Sequence, residues 1–252
     1  HLAALRGLCD TLREDITAGG PAHAQVDPDT SINVHSWDAI LAAAGAIIDA
    51  ADAVLAGEMP NAFCSVRPPG HHAMRDKAMG FCFVNNVAVA AKYALERHGL
   101  QRVAIIDFDV HHGNGTEDIV AGDERILMCS IYQHPFYPDC AHSDAPNLCN
   151  VPVPAYTRGM DIREMVDMMW LPRLDAHKPQ MLFISAGFDG HREDEMGQLG
   201  LVESDYVWIT ERLMEVARRH AKGRIVSCLE GGYDLSSLGR SVEAHIRALA
   251  GL

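Results

Sequence analysis

The stretch from Val103 to Thr116, reading V-A-I-I-D-F-D-V-H-H-G-N-G-T, constrains the fold more than any other part of the chain. Val103 to Ile106 form a short apolar run rich in β-branched residues, the pattern of a buried strand. Polarity then changes at once, with Asp107, Asp109 and His111 at alternate positions. Residues two apart in an extended backbone point to the same side. Two carboxylates and an imidazole therefore converge where the strand leaves the core. Gly113 and Gly115 permit a tight turn. Thr116 is placed to cap the next helix, with Glu117 and Asp118 in its first turn. Two oxygens and a nitrogen form a partial ligand set for zinc or a similar divalent ion, leaving a position for water. The alternative is a capped loop whose Asp and His groups only bond one another. Charges gathered at a strand end need a compensating partner, which favours the metal.

The rest of the chain repeats this layout. A helix is expected over residues 1–18, then a loop from Pro21 to Val34 with a turn at Asp27–Thr30. Ser36 is placed to cap an alanine-rich helix to about Leu55. Strands are expected at Asn61–Val66, Ile126–Ile131, Met181–Ser185 and Ile225–Leu229. Helices are expected over Val84–Arg97, Asp161–Ala176, Ser204–Ala221 and a final segment closing near Leu249. Gln133–Val151 reads as a long irregular stretch, a length often reserved for function. Strands alternate with helices, and each polar cluster follows a strand. The fold class is α/β, a single domain over residues 1–252 with a mostly parallel sheet flanked by helices on both faces. Ligands in such sheets bind at the carboxyl ends of the strands.

With 252 residues and 48% hydrophobic content, one sizeable core is affordable. The sequence shows no apolar run of the length of a membrane span and no secretory signal. Seven cysteines without a C-x-x-C pair point to reduced thiols and a cytoplasmic location. A net charge of −13 without a basic cluster argues against direct contact with nucleic acid and suits cationic substrates.

Four loops meet at the carboxyl edge: residues 67–73, 107–116, 186–191 and 230–234. Each has a plain reading and a chemical one. His71 and His72, in R-P-P-G-H-H-A, are either surface loop residues or a site pair. Phe81, beside Gly80, is a core plug or a pocket wall. Asp189 is a helix cap or a third ligand, and Tyr233 a connector or a phenol aimed into a site. Assembled, Asp109, His111 and Asp189 hold one metal. His71 and His72 act as base and acid, with Asp107 and Asn114 orienting their far nitrogens. Tyr233 donates to a developing oxyanion. The reaction class is metal-assisted amide hydrolysis.

R-P-P-G-H-H-A, G-F-C-F-V-N-N, D-F-D-V-H-H-G-N-G-T, S-A-G-F-D and L-E-G-G-Y-D-L occur in the order found in the zinc-dependent histone deacetylases. The chain resembles this family, including the bacterial histone deacetylase-like and acetylpolyamine amidohydrolases, from about residue 25 onward. The resemblance implies an arginase/deacetylase-like fold and one catalytic Zn²⁺ on Asp109, His111 and Asp189. It implies His72 as general base, with His71 assisting electrostatically, Asp107 partnering His71, and Tyr233 as the catalytic tyrosine. Asn114, where other members carry Asp, is similar to the class II branch. Phe81, with Gly80, and Tyr137 match the aromatic walls of an acetyl-lysine tunnel; Tyr137 departs from the usual Phe. Gly232 matches the tunnel floor, Asp29 a rim aspartate that grips substrate backbone, and Met196 a variable rim residue. Ser130, with backbone oxygens of Asp107, Asp109 and His111, matches a structural K⁺ site.

Two departures stand out. Members normally carry an extra strand and an H-P-E-R-like loop before the first helix, whereas this chain begins at His1 already near that helix. Residues 139–149, with Cys140 and His142, also differ from the usual glycine-rich turns. The expected substrate is N-acetyl-lysine in protein or peptide, with acetylated polyamine as the near alternative. An arginase-like hydrolase and a non-catalytic acyl-lysine-binding protein are more distant readings. The first wants two metals and a denser ligand set, the second the loss of a ligand, a histidine or the tyrosine.

Overall fold

The computed structural model describes residues 1–140 and 143–252, so His142 lies outside the described residues. The chain opens with α1 (Leu2–Thr17), which buries Leu5, Cys9 and Leu12 on one stripe. The segment expected to be a loop instead forms an antiparallel hairpin, β1 (His23–Asp27) and β2 (Thr30–Asn33). The turn signal stands at its tip, and Thr30 and Ile32 point inward from β2 while Ser31 and Asn33 face water. In α2 (Ser36–Ala56) the N-cap position belongs to His35, not Ser36. The Ser36 hydroxyl accepts from the Asn33 amide at 2.9 Å instead. With 21 residues and a mean hydropathy of 1.9, α2 is long and apolar enough to cross a membrane by length and composition alone, contrary to the sequence expectation. Its stripe of Ile40, Ala43, Ile47, Ala51 and Val54 is buried in the protein.

The sheet elements follow: β3 (Asn61–Cys64), α3 (Asn86–His98), β4 (Val103–Asp107), α4 (Asn114–Val120), β5 (Ile126–Gln133) and β6 (Leu148–Val153). The strand β6 shortens the irregular stretch expected over 133–151. Thr116 lies inside α4 and does not cap it; Gly113 holds the cap position. Thr116 Oγ1 accepts instead from Asn85 Nδ2 at 3.0 Å, while Asn85 Oδ1 caps α3 by accepting from Ala88 N. After β6 come α5 (Gly159–Met165), a π turn over Val166–Trp170 and α6 (Leu171–His177), where one continuous helix was expected. The chain ends with β7 (Leu182–Ala186), α7 (Glu203–His220), β8 (Ile225–Leu229) and α8 (Leu235–Ala250).

Strands pair in the order β3-β8-β7-β4-β5-β6, all parallel. Every residue of β4 and β7 is buried, as expected of strands covered on both faces. One face packs Phe108, Trp170, Phe188, Tyr206 and Leu213. The other packs α2 and α3 through Ile47, Ala51, Ala88, Ala91 and Phe183. A third cluster joins α1 to the hairpin through Leu5, Leu12, Ile32 and Phe83. From β4 the chain proceeds to β5 on one side; from β7 it proceeds to β8 on the other. The loops leaving β4 and β7 therefore diverge, opening a crevice at their carboxyl ends.

His245 of α8 is wholly buried between Thr210 Oγ1 at 2.7 Å and Ser227 Oγ at 2.9 Å. Burial drives its pKa down to about 3. The unfolded chain thus binds a proton that the folded one refuses, so stability falls as pH drops from about 6.5 towards 3. Replacing His245 with Asn should make the loss of unfolding free energy between pH 7 and pH 5 smaller by about 2 kcal/mol, read from urea midpoints at both pH values.

Candidate active site

The crevice between β4 and β7 collects the polar residues that the sequence places after the strands. Asp107 ends β4, and Asp109 and His111 follow it. Asp189 lies just beyond β7, and Glu230 and Gly231 just beyond β8. Asp109, His111 and Asp189 are all buried, with candidate ligand atoms within 4.8 Å of one another. His111 Nδ1 lies 3.1 Å from Asp109 Oδ1 and 3.1 Å from Asp189 Oδ2. Backbone amides aim the carboxylates: Val110 N donates to Asp189 at 2.9 Å and Gly231 N to Asp109 at 2.9 Å. Gly187 and Gly231 must lack side chains, because a Cβ at either would collide with these carboxylates. Two oxygens and an imidazole nitrogen, buried and convergent, fit a divalent ion such as zinc.

Beside this triad the His71 and His72 rings lie 4.0 Å apart. Their far nitrogens have different partners. His71 Nδ1 donates to Asp107 Oδ2 at 3.1 Å; His72 Nδ1 lies 2.8 Å from Asn114 Oδ1. Burial pulls the His71 pKa down, but the charges of Asp109 and Asp107 outweigh it and hold it well above the usual value. For His72, burial and the neighbouring His71 charge act together and push it well below. Environments that separate two pKa values in this way mark an acid and a base. Burial also raises Asp189, to about 6, reinforced by the Asp109 charge. At His111, burial is overcome by hydrogen bonds and charge from Asp109 and Asp189, which lift it to about 10.

Above these groups is a cavity of about 280 Å³ lined by Phe81, Phe136, Tyr137, Tyr233 and Met196, among others, and reaching His72 and His111. Gly80 and Phe81 both adopt positive φ, 57° and 66°. The second is costly for a bulky residue and turns the phenyl into the cavity. Phe81 is thus a wall, not a plug. Tyr137 meets His72 edge-on at 5.1 Å, and Phe136 stacks on His111 at 5.3 Å and 15°. Asp29, at the hairpin tip, lines the cavity and accepts from Gly80 N at 3.1 Å. Tyr233 faces Phe81 at 6.2 Å, and burial together with Asp189 and Asp109 keeps its phenol protonated.

His71, Asp107, Asp109, Asn114 and Asp189 are buried and are not among the residues lining the cavity, whereas His72 and His111 are. Gly232 is not among the residues lining the cavity; its Cα faces Leu238 at φ 139°. Ser130 is the register partner of Asp107, one strand over. Four contributors escaped the sequence reading. Phe136 adjoins Tyr137, and one tunnel wall was sought where two aromatics stand. Glu230 accepts from the Gly70 and His71 amides at 2.6 and 3.1 Å and from Ser185 Oγ at 2.9 Å. Asp194 accepts from the Tyr233 and Asp234 amides at 2.6 and 3.0 Å. Glu195 lines the cavity beside Met196. The only signal for Glu230 was its place immediately after a strand.

The sheet, the crevice at its reversal point and the buried triad define an α/β protein with a metal-ligand constellation under an aromatic tunnel. The chain belongs to the histone deacetylase domain family, whose model matches residues 1–249. It is 41% identical to the type-2 histone deacetylase 2 of Dictyostelium discoideum, over 88% of this chain and 14% of that protein. It is 39% identical to the histone deacetylase-like amidohydrolase of Pseudomonas aeruginosa, over 86% and 58% respectively. The crystal structure of the HDA15 HD domain superposes with a TM-score of 0.90 at 34% identity, covering all of this chain and 70% of that one. The chain thus spans only part of the length of these relatives.

A dication entering the triad must displace the proton that His111 holds near neutral pH. Zn²⁺ binding at pH 7 should release about one proton, measurable by calorimetry in buffers of differing ionisation enthalpy. The apparent affinity should rise about tenfold per pH unit.

Proposed function

We propose that this chain is a zinc-dependent amide hydrolase that removes acetyl groups from N-acetyl-lysine side chains. The observation that carries this reading is the adjacent pair of His71, bonded to Asp107, and His72, bonded to Asn114, beside the Asp109–His111–Asp189 triad and beneath an aromatic-walled cavity. Zinc held by that triad would polarise the amide carbonyl and acidify a bound water. The protein's own groups supply the rest. Asn114 Nδ2 points to Met79 Sδ at 3.4 Å, leaving its oxygen to accept from His72 Nδ1. That assignment leaves His72 Nε2 free to take a proton from the attacking water and return it to the departing amine. His71 stays charged, held by Asp107, and stabilises the negative charge that develops nearby. The Tyr233 hydroxyl donates to the oxyanion. Phe81, Phe136 and Tyr137 enclose the aliphatic stem and exclude water.

An acetylated polyamine is a second reading, supported by the carboxylates of Asp29 and Glu195 on the cavity lining. Ser130 Oγ is buried without a hydrogen-bond partner among the described residues, next to Asp107, which supports a potassium ion there. Asn114 in place of a carboxylate supports the class II branch. Seven free thiols support a reducing compartment such as the cytoplasm.

The metal-loaded protein should turn over a fluorogenic acetyl-lysine peptide, lose that activity to a chelator and regain it with zinc. Tyr233→Phe should lower kcat by about 10²–10³ with zinc content unchanged. His72→Ala should abolish turnover while zinc stays bound. A Tyr233→Phe variant with native kcat would remove the phenol from the mechanism.

A further inference from the structure

We propose that Glu195 is a specificity determinant that favours substrates carrying a positive charge close to the acetylated amine. This rests on the deacetylase reading and adds a recognition element to its site. The loop H-R-E-D-E-M forms one side of the cavity mouth, and its three carboxylates have different fates. Glu193 is paired with Arg240 at 2.7 Å. Asp194 is buried and accepts from the backbone amides of Met196, Tyr233 and Asp234. Glu195 is exposed and has no ion pair or hydrogen bond among the described residues, yet it lines the cavity.

Burial sets the orientation. His72 and His111 form the floor, while Glu195 and the 41%-exposed Met196 stand at the mouth. The other lining carboxylate, Asp29, is engaged by Gly80 N and by Thr30 Oγ1 at 2.7 Å. No lysine or arginine lines the cavity among the described residues. The mouth is therefore acidic with one uncommitted charge, on a chain of net charge −13. An acetamide that reaches the floor leaves the remainder of its substrate at this mouth. A cation located there gains an ion pair and a favourable approach; an anion meets repulsion. A lysine or arginine flanking acetyl-lysine in a peptide and the free ammonium of an acetylated polyamine present the same chemistry.

The test compares kcat/KM at low salt for an acetyl-lysine peptide flanked by arginine, the same peptide flanked by glutamate, and a monoacetylated diamine beside its neutral N-alkylacetamide analogue. Each cationic member should be preferred to its partner. Glu195→Gln should reduce that preference roughly two- to fivefold, mainly through KM, the range of an exposed ion pair. Glu195→Lys should reverse it, and added salt should erase it. Glu164→Gln, an exposed carboxylate that lines a different cavity, serves as the control and should leave the preference as it is. A preference confined to peptides assigns the charge to a flanking residue; one confined to the diamine assigns it to a polyamine. Turnover of all substrates with the same preference in native and Glu195→Gln protein overturns the role of Glu195 alone. Absence of turnover on every substrate by zinc-loaded protein overturns the deacetylase reading and this role with it.

Discussion

Four carboxylates, Asp107, Asp109, Asp189 and Glu230, are buried together beneath one cavity, each no more than 1% exposed. Removing an ionised carboxylate from water costs several kcal/mol unless charge or hydrogen bonds replace the lost hydration. Much of the surrounding architecture answers that demand. Backbone amides of Val110, Gly231, Gly70 and His71 point inward at carboxylate oxygens. His71 and His111 bring positive charge. Glycines stand at 187 and 231 because nothing larger fits between the loop and the acids. The parallel sheet makes this possible by delivering three separate strand ends to one place.

The same crowding gives two adjacent, identical residues opposite chemistry. Against the effect of burial, the charges of Asp109 and Asp107 raise the pKa of His71, whereas burial and the charge of His71 itself lower that of His72 despite its bond to Asn114. The difference is not a property of the imidazoles but of the charges around each of them. Glu230 reinforces it by gripping the backbone amides of Gly70 and His71, which fixes where the pair begins.

The centre of the fold was legible because its physics is local. Continuous apolar runs gave β4, β7 and β8, and the alternation of Asp107, Asp109 and His111 survives as convergent side chains. What escaped depended on distant contacts. The hairpin at 23–33 is short and half exposed, so its alternation is weak until α1 covers Ile32. The strand β6 carries Asn150 and Pro152, residues that read as loop, yet it pairs with β5 along its length. Thr116 reads as a cap because it precedes two acids, but Asn85, thirty-one residues earlier, claims its hydroxyl. Phe81 became a wall only through a positive φ that sequence does not reveal. Asp194 and Glu195 are adjacent acids with nothing in their order to show that one is structural and the other faces the mouth.

Asp194 has a consequence for how such a site can diversify. Its side chain accepts from the amide of Met196 on the rim and from those of Tyr233 and Asp234 on the loop that carries the phenol. The segment proposed to select substrate and the segment that carries the proposed oxyanion donor are therefore clasped by a single residue. A lineage can exchange the outward-facing side chains at 195 and 196 and explore new substrates while the clasp keeps the phenol in place. A change at 194 would release the backbone of the rim and of the Tyr233 loop together. The rim is open to evolutionary experiment on either side of a position that is closed to it.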